Sequence, residues 1–369
     1  MKKVFLLIVL IALLAPCRAQ EGMGYYYDYN NHFYAFEKGN NVELEGTRVD
    51  SIRAGIDYIA YIDFRTYLRA YYHGETYTLE ENKPNAMVAT PYSLVYKMQQ
   101  RLVVFEHGEK KQLTDWAGDF YAGESMIVWQ DLPSMDLKAY ENGQINTIEK
   151  AYSSRVIKNA GIGKNIFAYT DLNNGFKIYY GGQLYETGAT HIRNYKCGKN
   201  IVAYIDRFNN TFNVFYNYEI KTVSDHLPKS YSVAANMMTY VDFEDNFMLF
   251  YNGKTAELES WVPTSNNSKD NIIEYYNNTD LKMIYGGQTY TVDKFIPDQT
   301  IIMGPNSALY MDSNQRPKFF YKGKMYENIM NEQVGNMQLI WDLPVFNFGT
   351  NTIGFYYNNK LYTYETSRY

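Results

Sequence analysis

The sequence predicts an all-β fold, a β-propeller-like array of about ten short antiparallel blade units. Three observations lead to this prediction. A Tyr-x-Asp motif recurs about every 35 residues along the chain, each copy precedes a hairpin-turn signal, and the strand before that turn is apolar on both faces. Internal repetition with a period of this length is typical of propellers and solenoids.

The Tyr-x-Asp motif defines the repeat units. Its Asp, preceded once by Trp-Gln instead of Tyr-x, stands at positions 28, 63, 131, 171, 206, 242 and 312. Degenerate copies, YKM (96–98) and YYN (275–277), fill the two double-length gaps, and a last copy begins at LIWDLP (339–344). Ten units therefore account for residues 20–369 as one propeller domain. The first unit lacks an obvious leading strand, so a mixed first and last blade could reduce the blade number or close the ring.

Each unit contains three or four short strands. Asn-Gly and Gly-Gly pairs between extended runs are hairpin signals, and a further strand, as in HIRNYKCGKN, joins one unit to the next. Before the hairpin glycine, neighbouring positions are both apolar, for example Ile178 with Tyr179 and Leu249 with Phe250. Neighbours in a strand point to opposite faces, so both faces are buried. Blades packed face to face around an axis satisfy this pattern; a linear stack of hairpins or a β-solenoid is the alternative.

Residues 1–19 read as a secretory signal peptide, with Lys2 and Lys3 before an apolar run and small residues at the cleavage site. Lipidation of Cys17 is the alternative. Cleavage after Ala19 removes Lys2, Lys3 and Arg18 and takes the net charge from −5 to −8. We expect a soluble exported chain without a membrane span, and its acidic charge argues against nucleic acid as a partner.

The recurrent Asp is interpreted as a cap of its own turn. The run Asp171 to Gly175 resembles part of a calcium loop, but the other units do not keep its ligands in place. An inward ring of Asp side chains stays open as a further arrangement. No metal-ligand spacing, nucleophile elbow or phosphate loop is present, so no cofactor, metal or catalytic residue is assigned and we expect a non-enzyme. His73 and His107 share one position and are expected to be exposed turn residues, while Cys197 is expected to be a buried filler.

Departures from the repeat supply the candidate binding residues. The stretches WQDLP (129–133) and WDLP (341–344) replace the motif tyrosine, and ESWVPTSNNSKD (259–270) reads as an unusually long polar connection. Exposed Trp is a frequent binding anchor, whereas a core substitution for Tyr is the alternative at the first two sites. The candidates are Trp261, Trp129, Trp341, Asp131 and Asp342.

The repeated Tyr-x-Asp units, the 39 tyrosines and the Ala-Gln-Glu that spans the predicted cleavage site resemble exported Tyr- and Asn-rich β-propeller proteins of diderm bacterial envelopes. The resemblance extends to the plug subunit of the type 9 secretion translocon. It implies a location in the periplasm or at the outer membrane and an envelope or outer-membrane protein as partner. The expected function is a non-enzymatic protein-binding or plugging module. A carbohydrate-binding propeller is the alternative, and a glycan-active enzyme is less favoured.

Overall fold

The computed structural model describes residues 20–150, 158–192, 194–277, 279–294 and 300–366, and the predicted signal peptide lies outside them. Every regular element in these ranges is a β-strand, and the 39 strands form ten antiparallel sheets. The predicted all-β propeller is therefore confirmed. The described residues contain no helix that is long and apolar enough to cross a membrane.

Nine blades have four strands each, which follow the chain from the axis outwards. The inner strands of neighbouring blades contact one another around the axis. They are β4 Asp50–Ala54, β8 Ala86–Ala89, β12 Ala117–Ala122, β16 Lys158–Ile162, β20 Tyr195–Cys197, β24 Ser230–Ala234, β28 Ser265–Lys269, β32 Ile302–Met303 and β36 Val334–Ile340.

The second and third strands form the core of each blade. The second strands are β1 Gly24–Tyr27, β5 Tyr58–Ile62, β9 Ser93–Met98, β13 Met126–Asp131, β17 Ile166–Thr170, β21 Ile201–Asp206, β25 Met237–Val241, β29 Ile272–Asn277, β33 Ser307–Met311 and β37 Leu343–Phe348. The third strands are β2 Phe33–Glu37, β6 Leu68–Tyr72, β10 Arg101–Glu106, β14 Leu137–Glu141, β18 Gly175–Tyr180, β22 Thr211–Tyr216, β26 Phe247–Tyr251, β30 Asp280–Tyr285, β34 Pro317–Tyr321 and β38 Thr352–Tyr357.

The outer strands complete the blades and are the most exposed. They are β3 Asn40–Glu45, β7 Glu75–Glu80, β11 Glu109–Thr114, β15 Gln144–Glu149, β19 Gln183–Thr190, β23 Glu219–Ser224, β27 Lys254–Glu259, β31 Gln288–Lys294, β35 Lys324–Tyr326 and β39 Lys360–Glu365. We number the blades 1 to 10 in chain order, so that β1–β3 form blade 1 and β36–β39 form blade 10.

Burial on both strand faces holds the blades together. All five residues of β5 are buried, and its alternate side chains enter two different core clusters, one shared with blade 1 and one with blade 3. The ring is closed because blade 10 packs on blade 1, with the rings of Phe36 and Phe355 stacked at 4.6 Å. A linear stack or solenoid is thereby excluded.

The tyrosine of the repeated motif has a structural role. Tyr61 and Tyr169 are buried between blades, and each donates its hydroxyl to the Glu that ends the preceding outer strand, at 3.0 Å to Glu45 and 2.6 Å to Glu149. Burial of a phenol with its hydroxyl bonded satisfies both parts of the side chain. Most of the tyrosine excess is therefore scaffold.

The antiparallel path gives the disc two different faces. We call the face with the second-to-third-strand turns and the crossovers between blades the Asp face, because the recurrent Asp lies there. The opposite, hairpin face carries the inner-to-second-strand turns and the third-to-outer-strand hairpins. In all ten blades, both central residues of the third-to-outer-strand hairpin have positive φ, as in His73-Gly74 (47° and 90°) and Asn252-Gly253 (50° and 76°). This is the type I′ geometry that glycine and asparagine favour.

Blade 1 has three strands because its inner strand is absent from the described residues. Its β1 corresponds to the second strand of the other blades, since Tyr26-Tyr27-Asp28 aligns with Tyr61-Ile62-Asp63. The predicted lack of a leading strand is confirmed. Blade 10 is complete in itself, so the first and last blades are not mixed and the ring has ten blades.

Two predicted assignments were wrong. The stretch 259–270 is not one long connection, because residues 265–269 form the inner strand β28; its polar side chains suit a strand beside the wet axis. The stretch 341–344 is not a Tyr-x-Asp copy, because Trp341 and Asp342 lie in the turn before β37 and Phe348 takes the motif Asp position.

Candidate functional site

The Asp face is built from turns that the recurrent Asp holds. Asp63 Oδ1 accepts the amides of Arg65 and Tyr67, both at 2.9 Å, and its Oδ2 accepts Arg69 Nε at 2.7 Å. Burial opposes the ionisation of Asp63, but the Arg69 guanidinium and the two turn amides outweigh it and hold the pKa of that carboxyl below its ordinary value. The same two-amide cap recurs at Asp28, Asp171, Asp206, Asp242 and Asp312. The predicted turn-capping role is confirmed, and the carboxylates do not form an inward ring.

Large apolar side chains project from five of these capped turns. They follow the Asp by one or two residues and are exposed by 65% at Tyr29, 63% at Phe64, 44% at Leu172, 90% at Phe208 and 49% at Phe243. We call these five residues the apolar tips. Their backbones are fixed by the Asp caps, so the tips are presented with little freedom left to lose on binding.

The fold does not need these apolar residues. In blade 9 the equivalent position is Ser313, and Asp312 still accepts two turn amides at 2.9 Å. A polar residue at the tip therefore gives the same capped turn. Exposed apolar side chains repeated on one face, where the scaffold gains nothing from them, indicate an interaction surface.

The crossovers on the Asp face add further apolar surface. Trp116 and Val262 are exposed, and Trp261 beside Val262 is half-buried. The ring of His226 stacks on that of Phe243 at 4.1 Å, and a cleft of about 570 Å³ opens beside Phe208. Trp261 is thus the one sequence-predicted candidate that lies among the apolar tips. The sequence analysis missed Trp116 and the tips themselves, although a residue next to a turn-capping Asp is a recognisable signal for an exposed side chain.

Trp129 and Asp131 belong to the scaffold of blade 4. Trp129 is completely buried in the cluster between blades 3 and 4, so it cannot contact a partner while the protein is folded. It replaces the motif tyrosine, which is the alternative that the sequence had left open. Asp131 is also buried, and it bonds Ser134 Oγ at 2.7 Å and Lys138 Nζ at 3.1 Å. Both are removed from the set of candidate binding residues.

Asp342 lies on the hairpin face and ends a ladder of asparagine side chains. Asn271 Nδ2 donates to Asn306 Oδ1 at 2.7 Å, and Asn306 Nδ2 donates to Asp342 Oδ2 at 2.7 Å. Asp342 Oδ1 also accepts the amide of Asn306 and the hydroxyl of Ser307. The carboxylate is fully buried and all three of its donors belong to the neighbouring blade 9, so it is structural.

Trp341 precedes Asp342 and closes the ring on the hairpin face. Its Nε1–H donates to the carbonyl oxygen of Ala54 at 2.8 Å, and therefore reaches from blade 10 to blade 2 across the gap in blade 1. Its ring also lines the cavity at the axis. The five predicted candidates thus occupy both faces and the core, and the fold does not bring them together as one site.

The axial cavity on the hairpin face has a volume of about 400 Å³ and is crossed by paired charges. Lys164 Nζ lies 2.7 Å from Glu124 and 3.7 Å from Asp270, and Lys199 Nζ lies 3.6 Å from Glu124. Cys197 also lines the cavity; the residue as a whole is half-buried, whereas it was predicted to be buried, and desolvation of its thiol raises the pKa to about 12, which disfavours the thiolate at neutral pH. These charges are satisfied within the ring, which favours the Asp face as the binding surface. In the ranges that the structure describes, no group of three or more metal-ligating side chains comes together.

A closed ring of ten blades, nine of them four-stranded in the described part of the chain, defines a β-propeller. Residues 18–362 match the family described as a 10-bladed beta propeller domain, and the chain belongs to this family. No curated protein sequence matches the chain significantly.

Solved propellers resemble the chain only distantly. The computationally designed Ika8 protein shares 13% identity at a TM-score of 0.33, over 76% of this chain and 96% of Ika8. Prp20p from Saccharomyces cerevisiae shares 8% sequence identity at a TM-score of 0.32, over 63% of this chain and 81% of Prp20p. PorZ of Porphyromonas gingivalis is a surface component of the type-IX secretion system. It shares 7% sequence identity at a TM-score of 0.30, over 87% of this chain and 52% of PorZ. At these values the likenesses establish neither a shared function nor a shared partner.

Proposed function

We propose that the chain is a non-enzymatic protein-binding module whose Asp face docks on a partner protein of the cell envelope. The observation that carries this proposal is the set of apolar tips, which five capped turns present on one face of a rigid disc. A broad, fixed surface with several aromatic anchors suits a folded protein partner, because such anchors supply most of the binding energy of protein interfaces.

The envelope location rests on the signal peptide predicted for residues 1–19 and on the family resemblance argued from the sequence. A disc that binds through one whole face could act as a plug or adaptor for a membrane-embedded assembly, and we include an association with protein secretion in the proposal. Detection of the mature N-terminus at Gln20 in the periplasmic or outer-membrane fraction tests the location. A chain that keeps Met1 in the cytoplasm would contradict it.

The docking surface is tested by the triple variant Phe64→Ser, Phe208→Ser and Phe243→Ser, which copies the residue type that blade 9 carries at its tip. The partner is first defined as a stoichiometric protein that copurifies after crosslinking of intact envelopes. We expect the triple variant to keep its melting temperature and to lose at least about 90% of that partner, because each aromatic anchor contributes on the order of 1–2 kcal/mol.

The matched control is Ile145→Ser with Ile220→Ser, which removes two exposed apolar side chains from outer strands. This control should retain the partner. Equal losses in both variants, or full retention in the triple variant, would reject the Asp face as the docking surface. Trp261→Ala tests the crossover separately, and binding of the purified protein to a glycan array without any protein partner would favour the carbohydrate-binding alternative.

A further inference from the structure

Among the described residues, none occupies in blade 1 the position that the inner strand has in the other nine blades. Asp28 at the end of β1 accepts the amides of Asn30 and His32, as Asp63 caps the corresponding turn of blade 2. This places β1 as a second strand, so the missing strand is the innermost one. Within the described ranges, no strand pairs with the channel-facing edge of β1.

The unpaired edge of β1 lacks the usual protection against strand pairing. Natural edge strands are blocked by proline, by inward-pointing charges or by a bulge. The sequence of β1 is Gly24-Tyr25-Tyr26-Tyr27, and its register against β2 is regular over all four residues. Its unpaired N–H and C=O groups therefore remain available for an added strand.

A hydrogen bond between blades 10 and 2 bounds the vacant position at one end. On the hairpin face the bond from Trp341 Nε1 to the carbonyl of Ala54 spans the gap. None of the described residues that enter β1 occupies the position: Gln20 Oε1 accepts the amide of Asn358, and the carbonyl of Glu21 accepts the amide of Asp342, both in blade 10. An added strand would therefore enter from the Asp face.

The two walls of the position differ in chemistry. On the blade 10 side, Asn336 and Gln338 of β36 are exposed and share the strand face of Val345, which is directed toward blade 1. On the blade 2 side, Ile52 and Ala54 pack in one cluster with the half-buried ring of Tyr25. An added strand would place polar side chains against the side-chain amides of Asn336 and Gln338, and small side chains beside Tyr25.

We propose that the channel-facing edge of β1 accepts a β-strand donated by the partner protein. The donated segment would have the length of β4, five residues, would run antiparallel to β1, and would alternate polar residues toward blade 10 with small residues toward blade 2. In this mode of recognition the main-chain hydrogen bonds supply affinity and the side-chain walls supply selectivity. The proposal deepens the proposed function and rests on it for the identity of the partner.

The test supplies the strand within the chain. Outer strand β39 ends at Glu365 on the Asp face, where the connection to the next inner strand begins in the other blades. The full chain is extended after Tyr369 by a short Gly-Ser linker and the donor segment Ala-Asn-Ala-Asn-Ala. The matched control carries Ala-Pro-Ala-Pro-Ala, because proline cannot donate to a ladder.

Hydrogen exchange is compared between Gly24–Tyr27 and the covered strand Tyr58–Ile62. In the unextended protein, the channel-facing amides of β1 should exchange at least about tenfold faster than those of β5, and the donor segment should slow them by a similar factor. The proline control should leave them fast. Two results would show that the edge of β1 does not accept a strand. Its amides could exchange as slowly as those of β5 in the unextended protein, or they could still exchange fast when the donor segment is attached.

The partner is then tested with the same two extensions. Occupation of the edge in cis should weaken copurification of the partner by at least about tenfold, whereas the proline control should not, since a tethered segment competes at high effective concentration. Full retention of the partner by the donor-extended chain overturns strand donation by the partner. The triple variant of the apolar tips is scored in parallel, so that result leaves the proposed function standing.

Discussion

The seam that closes the ring, between blades 10 and 1, differs from an ordinary seam such as that between blades 6 and 7. At the ordinary seam the inner strands lie side by side, and the Asn236 amide donates to the Lys199 carbonyl at 2.9 Å. On the blade 1 side of the closing seam, no inner strand lies among the residues that the structure describes. Instead Phe36 stacks on Phe355 with an interplanar angle of 6°, and Tyr26 stacks on Tyr364 at 5.0 Å.

Aromatic contacts cross both seams, but those of Phe212 with Tyr240 and of Tyr216 with Phe250 at the ordinary seam are edge-on, whereas the closing seam has parallel stacked pairs. Stacked aromatic pairs contribute beyond the area they bury, and the extended reach of Trp341 adds one hydrogen bond across the gap. The ring thus closes through side chains, without exchange of strands between the first and last blades.

The largest expected effect is that of Phe36→Ala at the closing seam. We expect a loss of about 3–5 kcal/mol in the free energy of unfolding, from the cavity that the deleted ring leaves in a fully buried site. Phe250→Ala at the ordinary seam should cost a similar amount, because Phe250 is buried between blades 6 and 7. Urea unfolding followed by tryptophan fluorescence measures both.

Phe243→Ala is the control for these two variants, since the exposed ring should cost less than about 0.5 kcal/mol. If Phe36→Ala costs far less than Phe250→Ala, the aromatic stack does not hold the ring closed, and the comparison between the seams fails.

Asp342→Asn is expected to cost about 1–3 kcal/mol. The carboxylate accepts three hydrogen bonds, two from Asn306 and one from Ser307. In the variant, the new side-chain NH₂ group would face the NH₂ group of Asn306, so that a buried donor is left without an acceptor. Thermal unfolding at pH 7 measures the loss. The exposed Asp245→Asn should change the melting temperature very little; a neutral Asp342→Asn would mean that the asparagine ladder can reverse its direction.

Trp341→Phe separates the hydrogen bond across the gap from the ring that makes it. We expect a loss of about 1 kcal/mol, the net value of a typical intramolecular hydrogen bond. Urea unfolding is again the measurement, and Trp261→Phe is the matched control because no such bridge depends on it. A cost as large as that of Phe36→Ala would show that the indole, and not the aromatic stack, closes the ring.

The smallest expected effect concerns Glu274, which lies at another ordinary seam, the one between blades 8 and 9. Burial raises the pKa of Glu274, against the opposing hydrogen bond from the Asn267 side-chain amide. The folded state therefore keeps this proton to higher pH than the unfolded chain does, so the contribution of Glu274 to stability is largest at acidic pH. It falls as pH rises from about 4.5 toward the raised pKa.

Glu274→Gln should remove that dependence and make the variant slightly more stable than the parent at pH 7. Melting temperatures of the two proteins between pH 4 and pH 8 measure the difference. A gap between them that narrows with rising pH would contradict the raised pKa.

Much of the ordinary seam could be predicted from the sequence. The alternation of Leu249 and Phe250, the Tyr-x-Asp motif and the hairpin glycines are local patterns, and burial on both strand faces follows from them directly. The asparagines at 165, 200, 236, 271 and 306 recur at intervals of 35 or 36 residues. This spacing also indicates a repeated structural role, although it was not among the patterns interpreted from the sequence.

The candidate site was less predictable, because exposure is not written in residue type. Trp129 and Trp341 look equivalent in the sequence, yet Trp129 is in the core and Trp341 bridges two blades. Phe64 and Phe243 look like core residues until the Asp-capped turn turns them outward. Composition alone assigns aromatic residues to the interior, and only the turn geometry reverses that assignment.

By itself the sequence determined the all-β class, the ten units and the capped turns, because each depends on contacts within about 35 residues of chain. The tertiary structure alone decided how the ring closes, which face carries the apolar tips, and that no described strand pairs with the inner edge of β1. Those features depend on residues such as Phe36 and Phe355, which are far apart along the chain and meet only when the last blade packs against the first.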